Sequence, residues 1–82
     1  MKQAYAIFDN AEQELFANSV HDTPQGALVN GLLLCFGYVT PAQFNYRQIK
    51  AMWDLHNTKH RYSVVVVEIA KVREYIDEDP TT

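Results

Sequence analysis

The chain has 82 residues, a mass of 9.4 kDa and a net charge of −3. A chain of this size buries roughly 60% of its unfolded surface, which supports one modest core and excludes a two-lobed enzyme with a deep cleft. The hydrophobic fraction of 48% argues against disorder, and the charged fraction of 21% indicates a soluble surface.

Charge is distributed along the chain in three blocks. Residues 1–45 carry one lysine against four acidic residues, residues 46–73 carry six basic against two acidic residues, and residues 74–82 carry four acidic residues only. The blocks either neutralise one another on a mixed surface or form a polarised surface that steers a charged partner.

Cys35 is the only cysteine, which excludes an internal disulfide and indicates a reducing compartment. We expect no leader segment, and no apolar run approaches the roughly 20 residues of a spanning helix. The prediction is therefore a cytoplasmic protein without membrane association. Cys35 lies in the most apolar stretch, near the end of a predicted helix, so we interpret it as a packing residue.

Two strands open the chain. Residues 2–8 alternate with period two, polar residues 9–13 have turn chemistry, and residues 14–20 alternate again. This pattern predicts a β-hairpin.

Two helices follow. Thr23 and Pro24 are typical of a helix start and Gly37 of a helix end, so the first helix is predicted over residues 24–36, buried nearly all round or awaiting a partner. Thr40 and Pro41 repeat the start signal and predict a second helix over residues 41–57. One stripe of this helix is apolar and contains Ala42, Tyr46, Ile49, Trp53 and His56.

Branched residues between Tyr62 and Val72 predict a last strand. The expected fold is an α+β two-layer domain, ββααβ, with a three-stranded antiparallel sheet in the order 2-1-3 and both helices on one face. We assign residues 1–76 to this domain and residues 77–82 to a frayed acidic tail. The edge strand 62–72 is a possible site of homodimerisation or partner binding, unless it is a core strand that the tail covers.

No residue pattern predicts a reaction. His56 and His60 have the i, i+4 spacing of metal ligands, but a helix end between them and Lys59 beside them favour a structural role. The three glycines all belong to the first helix and its end, which leaves no phosphate-binding loop. We predict a non-enzymatic protein with no catalytic residues, no metal and no cofactor.

Nucleic-acid binding is the alternative function. Segment 46–62 interleaves basic residues with Tyr46, Trp53 and Tyr62, as single-strand binding surfaces do. The isoelectric point of about 5.4 opposes this alternative, because a basic footprint usually dominates a nucleic-acid-binding domain.

Protein binding fits the same segment better. Tyr46 and Trp53 are seven residues apart on the second helix, next to Arg47 and Lys50, and Tyr, Trp and Arg dominate interface energies. The other interpretation is that both rings cap the core.

The opening sequence MKQAYAIFD at residues 1–9, the short hairpin and the Thr-Pro helix starts in a compact acidic chain resemble small proteins of phages and mobile elements, in particular the anti-CRISPR proteins. The resemblance concerns size and layout, and it carries over no site residue. It implies a stoichiometric inhibitor that docks on a Cas effector in the host cytoplasm and blocks DNA binding or nuclease recruitment.

An inhibitor of this kind would direct acidic residues at a basic channel of its target, where carboxylates replace phosphates. The candidates lie on the hairpin and near the end of the chain. They are Asp9, Glu12, Glu14, Glu74, Asp77, Glu78 and Asp79.

Overall fold

The computed structural model of the chain describes residues 3–68. The elements are β1 (Gln3–Asp9), β2 (Glu14–His21), α1 (Pro24–Phe36), α2 (Tyr46–His56) and β3 (Tyr62–Glu68). All strand pairs are antiparallel and the sheet order is β2-β1-β3, which confirms the predicted fold. The predicted end of the last strand at Val72, the domain limit at residue 76 and the tail 77–82 lie outside the described residues.

Helix α1 has the bounds that its capping residues predict. The Thr23 hydroxyl accepts a hydrogen bond from the Gly26 amide at 3.0 Å, and Pro24 occupies the first turn. Gly37 has φ 67°, a left-handed conformation that glycine adopts without steric cost. The amide of Gly37 donates to the Leu33 carbonyl, which satisfies an orphan acceptor of the last turn.

The core lies between this helix, the centre of β1 and α2. Its buried members are Ile7, Leu28, Leu32, Ile49 and Trp53. A Cβ atom on Gly31 would lie 2.6 Å from Ile7 Cγ1 and 3.0 Å from Trp53 Cζ3, so the missing side chain is what lets α1 approach the sheet and α2 so closely.

The far side of α1 is open. Leu33 and Leu34 are 52% and 45% exposed, so the first of the two predicted alternatives, a helix buried nearly all round, is wrong, and the second, a face that awaits a partner, stays a prediction. One side of α1 packs against the sheet and α2, and the leucines on its other side are exposed to solvent.

Helix α2 begins at Tyr46, and the predicted start at Thr40-Pro41 was wrong. Asn45 and Gln48 form a capping box: the Asn45 side chain accepts from the Gln48 amide at 2.9 Å, and the Gln48 side chain accepts from the Asn45 amide at 2.8 Å. Two satisfied amides fix the start here. The Thr40 hydroxyl is buried and has no hydrogen-bond partner within residues 3–68.

The two edges of β1 differ in regularity. Pairing with β3 runs without a shift from Gln3 opposite Glu68 to Asp9 opposite Tyr62. Pairing with β2 is interrupted, because Ile7 lies opposite Phe16 whereas Tyr5 lies opposite His21. The additional residues of β2 bulge out of the ladder.

A serine side chain repairs this interruption. The Ser19 hydroxyl accepts from the Ile7 amide at 2.7 Å and donates to the Phe16 carbonyl at 2.6 Å, and Ser19 is fully buried. Asn30 of α1 donates to the Ser19 carbonyl at 3.3 Å. The hydroxyl thus replaces a strand partner for a backbone amide in the middle of the sheet.

We expect Ser19→Ala to lower the free energy of unfolding by about 1–3 kcal/mol, because it leaves the buried Ile7 amide without an acceptor. Urea denaturation monitored by Trp53 fluorescence measures the change. Asn18→Ala, at the exposed neighbouring position, is the control and should cost less. Equal effects of the two substitutions would contradict the role of the hydroxyl.

Candidate functional site

An ion pair joins two loops at one end of the sheet. Asp9 ends β1, and its side chain is 5% exposed. Arg61 immediately precedes β3, and its Nε and Nη2 atoms donate to the two carboxylate oxygens of Asp9 at 3.0 and 2.9 Å. This two-pronged geometry is the strongest that an arginine and a carboxylate can form.

The same carboxylate orders the hairpin loop. Oδ1 of Asp9 accepts hydrogen bonds from the amides of Ala11 at 3.0 Å and Glu12 at 3.2 Å. Hydrogen bonds from the Arg61 side chain and then from these amides lower the pKa of Asp9, whereas burial acts in the opposite direction. The hydrogen bond to Asp9 likewise raises the pKa of Arg61. Both groups are charged at neutral pH.

Asn10 forms a second link between the loops. Its amide donates to the Arg61 carbonyl at 2.8 Å, and its side-chain Nδ2 donates to the Ser63 hydroxyl at 2.8 Å. Gln13 Nε2 donates back to the Asn10 carbonyl at 2.7 Å. Hairpin loop 10–13 is therefore fixed both internally and to the start of β3.

The loop before β3 is fixed by Asn57. Asn57 Nδ2 donates to the Tyr62 carbonyl at 2.9 Å, and its Oδ1 accepts from the Tyr62 amide at 3.3 Å. Both polar atoms of the Asn57 side chain are thus hydrogen-bonded to the backbone of Tyr62, the first residue of β3. We call loops 10–13 and 57–61 together the two-loop surface.

Each loop of this surface contains one residue in the left-handed conformation. Gln13 has φ 58° and His60 has φ 54°, and these are the only non-glycine residues with positive φ within residues 3–68. This conformation is unfavourable for residues with a Cβ atom, and it persists only where surrounding contacts enforce it. Both strained residues of the described chain lie on the two-loop surface.

A pocket of about 310 Å³ opens beside loop 57–61. His56 forms part of its wall, and its ring is tilted against those of Phe36 and Tyr38 with centroids 5.3 Å apart in each case. His56 Nδ1 lies 2.9 Å from the Met52 carbonyl, which can only accept, so this nitrogen donates the hydrogen bond. The lining is aromatic and basic: Phe36, His56, Asn57, Thr58, Lys59, Arg61 and Tyr62.

The predicted acidic contact residues separate into three groups. Glu12 and Glu14 are exposed on the hairpin. Asp9 is buried and committed to Arg61, so its carboxylate belongs to the fold and not to an accessible contact surface. Glu74, Asp77, Glu78 and Asp79 lie outside the described residues.

The predicted contact residues of α2 are not on one surface. Tyr46 is 45% exposed, and Arg47 is also exposed. Lys50 is exposed and pairs with Asp54 at 3.2 Å. Trp53 is 4% exposed and packs in the core, so its indole is not available to a partner, as the core interpretation predicted. Residues seven apart lie on the same side of a helix to within about 20°, but Tyr46 is the first residue of α2, whereas Trp53 lies two turns further on, in the core cluster.

The remaining reactive groups have structural surroundings. Burial is the main factor that raises the pKa of Cys35 to about 11, so this thiol is protonated at neutral pH. Helix α2 ends at His56, and His60 lies four residues beyond it in a left-handed turn, so the two imidazoles do not share a helical face. Within residues 3–68, no three His, Cys, Asp or Glu side chains gather as metal ligands would.

Sequence reasoning missed the residues that hold the site together. Arg61 entered only as part of the basic segment 46–62, and residue 57 only as the end of the predicted second helix. Asp9 and Arg61 are 52 positions apart, so no local pattern signals the pair. The one local signal is Asp9 itself, because an aspartate at the start of a turn commonly binds the following amides.

Comparison with known proteins found no matching family model, no matching curated protein and no matching solved structure. Neither of the two described helices has the length and apolar character needed to cross a membrane.

We expect the free energy of unfolding to decrease as the pH is lowered and Asp9 becomes protonated. In the folded state the pKa of Asp9 lies below its ordinary value of 3.8. The contribution of the ionised carboxylate to stability is therefore complete above pH 3.8, and it is lost as the pH falls through the lower, folded-state pKa. Urea midpoints between pH 6 and pH 2 should therefore fall less steeply in Asp9→Asn than in the wild type in the acid range. Asp22→Asn, at an exposed site, is the control. The prediction would be contradicted if the urea midpoint fell equally steeply at acidic pH in the wild type and in Asp9→Asn.

Proposed function

We propose that this chain is a non-enzymatic protein-binding domain that docks on its partner through the two-loop surface. The observation that carries the proposal is that the Asp9 carboxylate is hydrogen-bonded both to Arg61 of one loop and to two backbone amides of the other. Binding is favoured when a surface is already ordered, since less conformational entropy is lost on association. Strained residues at Gln13 and His60 support the same assignment, because strain concentrates at functional positions.

The chemistry of the hairpin favours a basic partner. Glu12 lies on the hairpin loop, whose backbone is held by hydrogen bonds, and Glu14 is the first residue of β2; both are exposed, and Arg61 is already paired with Asp9. Carboxylates that need no reordering can pair with lysine and arginine side chains of a partner at low entropic cost. The adjacent pocket offers an aromatic floor for an inserted side chain of the partner.

In its most specific form the proposal is an inhibitor of the anti-CRISPR type. The target would then be a Cas effector, and Glu12 and Glu14 would form ion pairs with lysine and arginine side chains that otherwise bind DNA phosphates. The support for this form is the charge and rigidity of the hairpin, together with the resemblance in size and layout noted above.

The nucleic-acid alternative is less well supported by the contacts of segment 46–62. Lys50 is paired with Asp54, and Arg61 with Asp9. Trp53 is buried, so it offers no stacking surface. Since phosphate binding and base stacking both require accessible groups, the segment keeps few of the contacts that this function needs.

We expect the charge reversals Glu12→Lys and Glu14→Lys to weaken partner binding and to reduce its salt dependence, because each removes a carboxylate from the contact and adds a repulsive cation. Wild-type and variant chains are used as baits in the native host, captured proteins are quantified by mass spectrometry, and affinities are measured on the purified partner at several salt concentrations. For the specific form, a panel of purified Cas effectors is assayed for target-DNA binding.

The matched control is Asp22→Lys, which makes the same charge change at the opposite end of β2 and should leave binding intact. If the wild-type and variant baits all retained the partner equally, the hairpin would not be the contact surface. A shift of DNA or RNA by the isolated chain at physiological salt, abolished by Lys59→Glu or Arg47→Glu, would favour the nucleic-acid alternative.

A further inference from the structure

The pocket beside loop 57–61 has a wall of three half-buried rings. Phe36 ends α1, His56 ends α2 and Tyr62 begins β3. The Phe36 ring meets the Tyr62 ring edge-on, with centroids 5.6 Å apart and planes at 85°, and its centroid lies 5.3 Å from that of His56. Three separate elements thus bring their ends together around one opening, and each ring keeps an accessible part.

The loop that borders this pocket is held in place. Asn57 is buried and hydrogen-bonded to both backbone groups of Tyr62, and the His60 amide donates to the Asn57 carbonyl at 3.1 Å. A pocket with an ordered wall loses less conformational entropy on binding than one that must form. The pocket is therefore in place before a ligand arrives.

Two cationic side chains line the pocket, and they are not equivalent. Arg61 is paired with Asp9, which balances its charge, and its guanidinium carbon lies 5.3 Å from the centroid of the Tyr62 ring. Lys59 is exposed, and no carboxylate of residues 3–68 lies within ion-pair distance of it. Lys59 is thus the lining cation that is available to a ligand.

The volume of the pocket, about 310 Å³, limits what can enter it. Small-molecule pockets range over about 300–1,000 Å³, so this one lies at the lower limit. It is too small for a large cofactor, and it matches the single large side chain that one protein commonly inserts into a pocket of another.

The combination of rings and an available cation distinguishes among the side chains that could enter. A cation would be attracted to the ring faces but repelled by Lys59. A carboxylate would pair with Lys59, but an exposed ion pair contributes little and the negative ring faces oppose an anion. An aliphatic side chain would gain only burial. An aromatic ring gains from both features, since it makes edge-to-face contacts with the rings and presents its own negative face to the cation.

We propose that this pocket receives a tryptophan or tyrosine side chain of the partner protein. The inference rests on the proposed function, because loop 57–61 is one of the two loops of the two-loop surface, and it names the group that the partner inserts there. Tyrosine and tryptophan are among the residues that contribute most to binding energy at protein interfaces. The partner then combines this aromatic side chain with the basic residues that pair with Glu12 and Glu14.

Titration with capped amino acids tests the class of side chain in the full chain. The N-acetylated amides of tryptophan, leucine, lysine and glutamate are added to isotope-labelled protein, and the ring protons of Phe36, His56 and Tyr62 are followed by NMR. We expect saturable shifts with the tryptophan amide and a dissociation constant of roughly 1–10 mM. The leucine amide should bind about two- to tenfold more weakly, because it lacks the aromatic contacts. The two charged amides should give no saturation in this range.

Three results of the titration would overturn the proposal. The first is equal affinity for the leucine and tryptophan amides, or tighter binding of a charged amide. The second is a set of shifts centred outside the pocket. The third is the absence of a saturable shift with any of the four amides.

Removal of the lysine charge tests the contact between the cation and the inserted ring. Lys59→Met keeps the apolar part of the side chain and should weaken binding of the tryptophan amide about two- to fivefold. Lys50→Met is the matched control, because Lys50 is exposed on α2 and does not line the pocket, so its affinity should equal that of the wild type. Unchanged affinity in Lys59→Met, or an equal loss in both variants, would overturn an aromatic ring as the occupant. Circular dichroism verifies that each variant is folded.

The titration uses no partner, so its result is independent of the test of the hairpin. Glu12→Lys and Glu14→Lys should bind the tryptophan amide as the wild type does. If no amide binds but these charge reversals weaken capture of the partner, the pocket inference is wrong and the two-loop proposal stands. If the tryptophan amide binds but the charge reversals leave capture unchanged, the hairpin contact is wrong and the pocket inference stands.

Discussion

The Asp9–Arg61 ion pair is the interaction on which this structure depends. A carboxylate at the end of a central strand is buried here, and burial of an unpaired charge costs far more than a domain of this size can tolerate. Two guanidinium hydrogen bonds and two backbone amides compensate that cost. The same contacts fix the hairpin loop against the start of β3, so the requirement of one buried charge also shapes the candidate contact surface.

Polar side chains complete the backbone hydrogen bonding at other positions of the sheet. Ser19 supplies an acceptor to Ile7 where β2 leaves the ladder, and Asn57 pairs with Tyr62 where β3 begins. Both are short side chains that replace a missing strand neighbour.

The fold and the candidate site were predictable to different degrees. The α+β class, the 2-1-3 sheet order and the bounds of α1 follow from alternation, helical periodicity and the caps at Thr23 and Gly37. The start of α2 did not follow, because Thr-Pro at residues 40–41 is typical of a helix start, whereas the helix begins at the capping box of Asn45 and Gln48. Trp53 and Asp9 were candidates for contact, yet both are buried: an aromatic or acidic residue type does not reveal which side of an element meets the core.

The sequence by itself determined the local features of this protein: where strands alternate, where α1 begins and ends, and that only one small core can form. These depend on residues within a few positions of one another. Only the tertiary structure decided that Arg61 meets Asp9, that Ser19 enters the ladder and that the basic and acidic segments adjoin at one end of the sheet. Such contacts join residues far apart in sequence, and their pairing is set by strand register and burial, which no short stretch of the chain encodes.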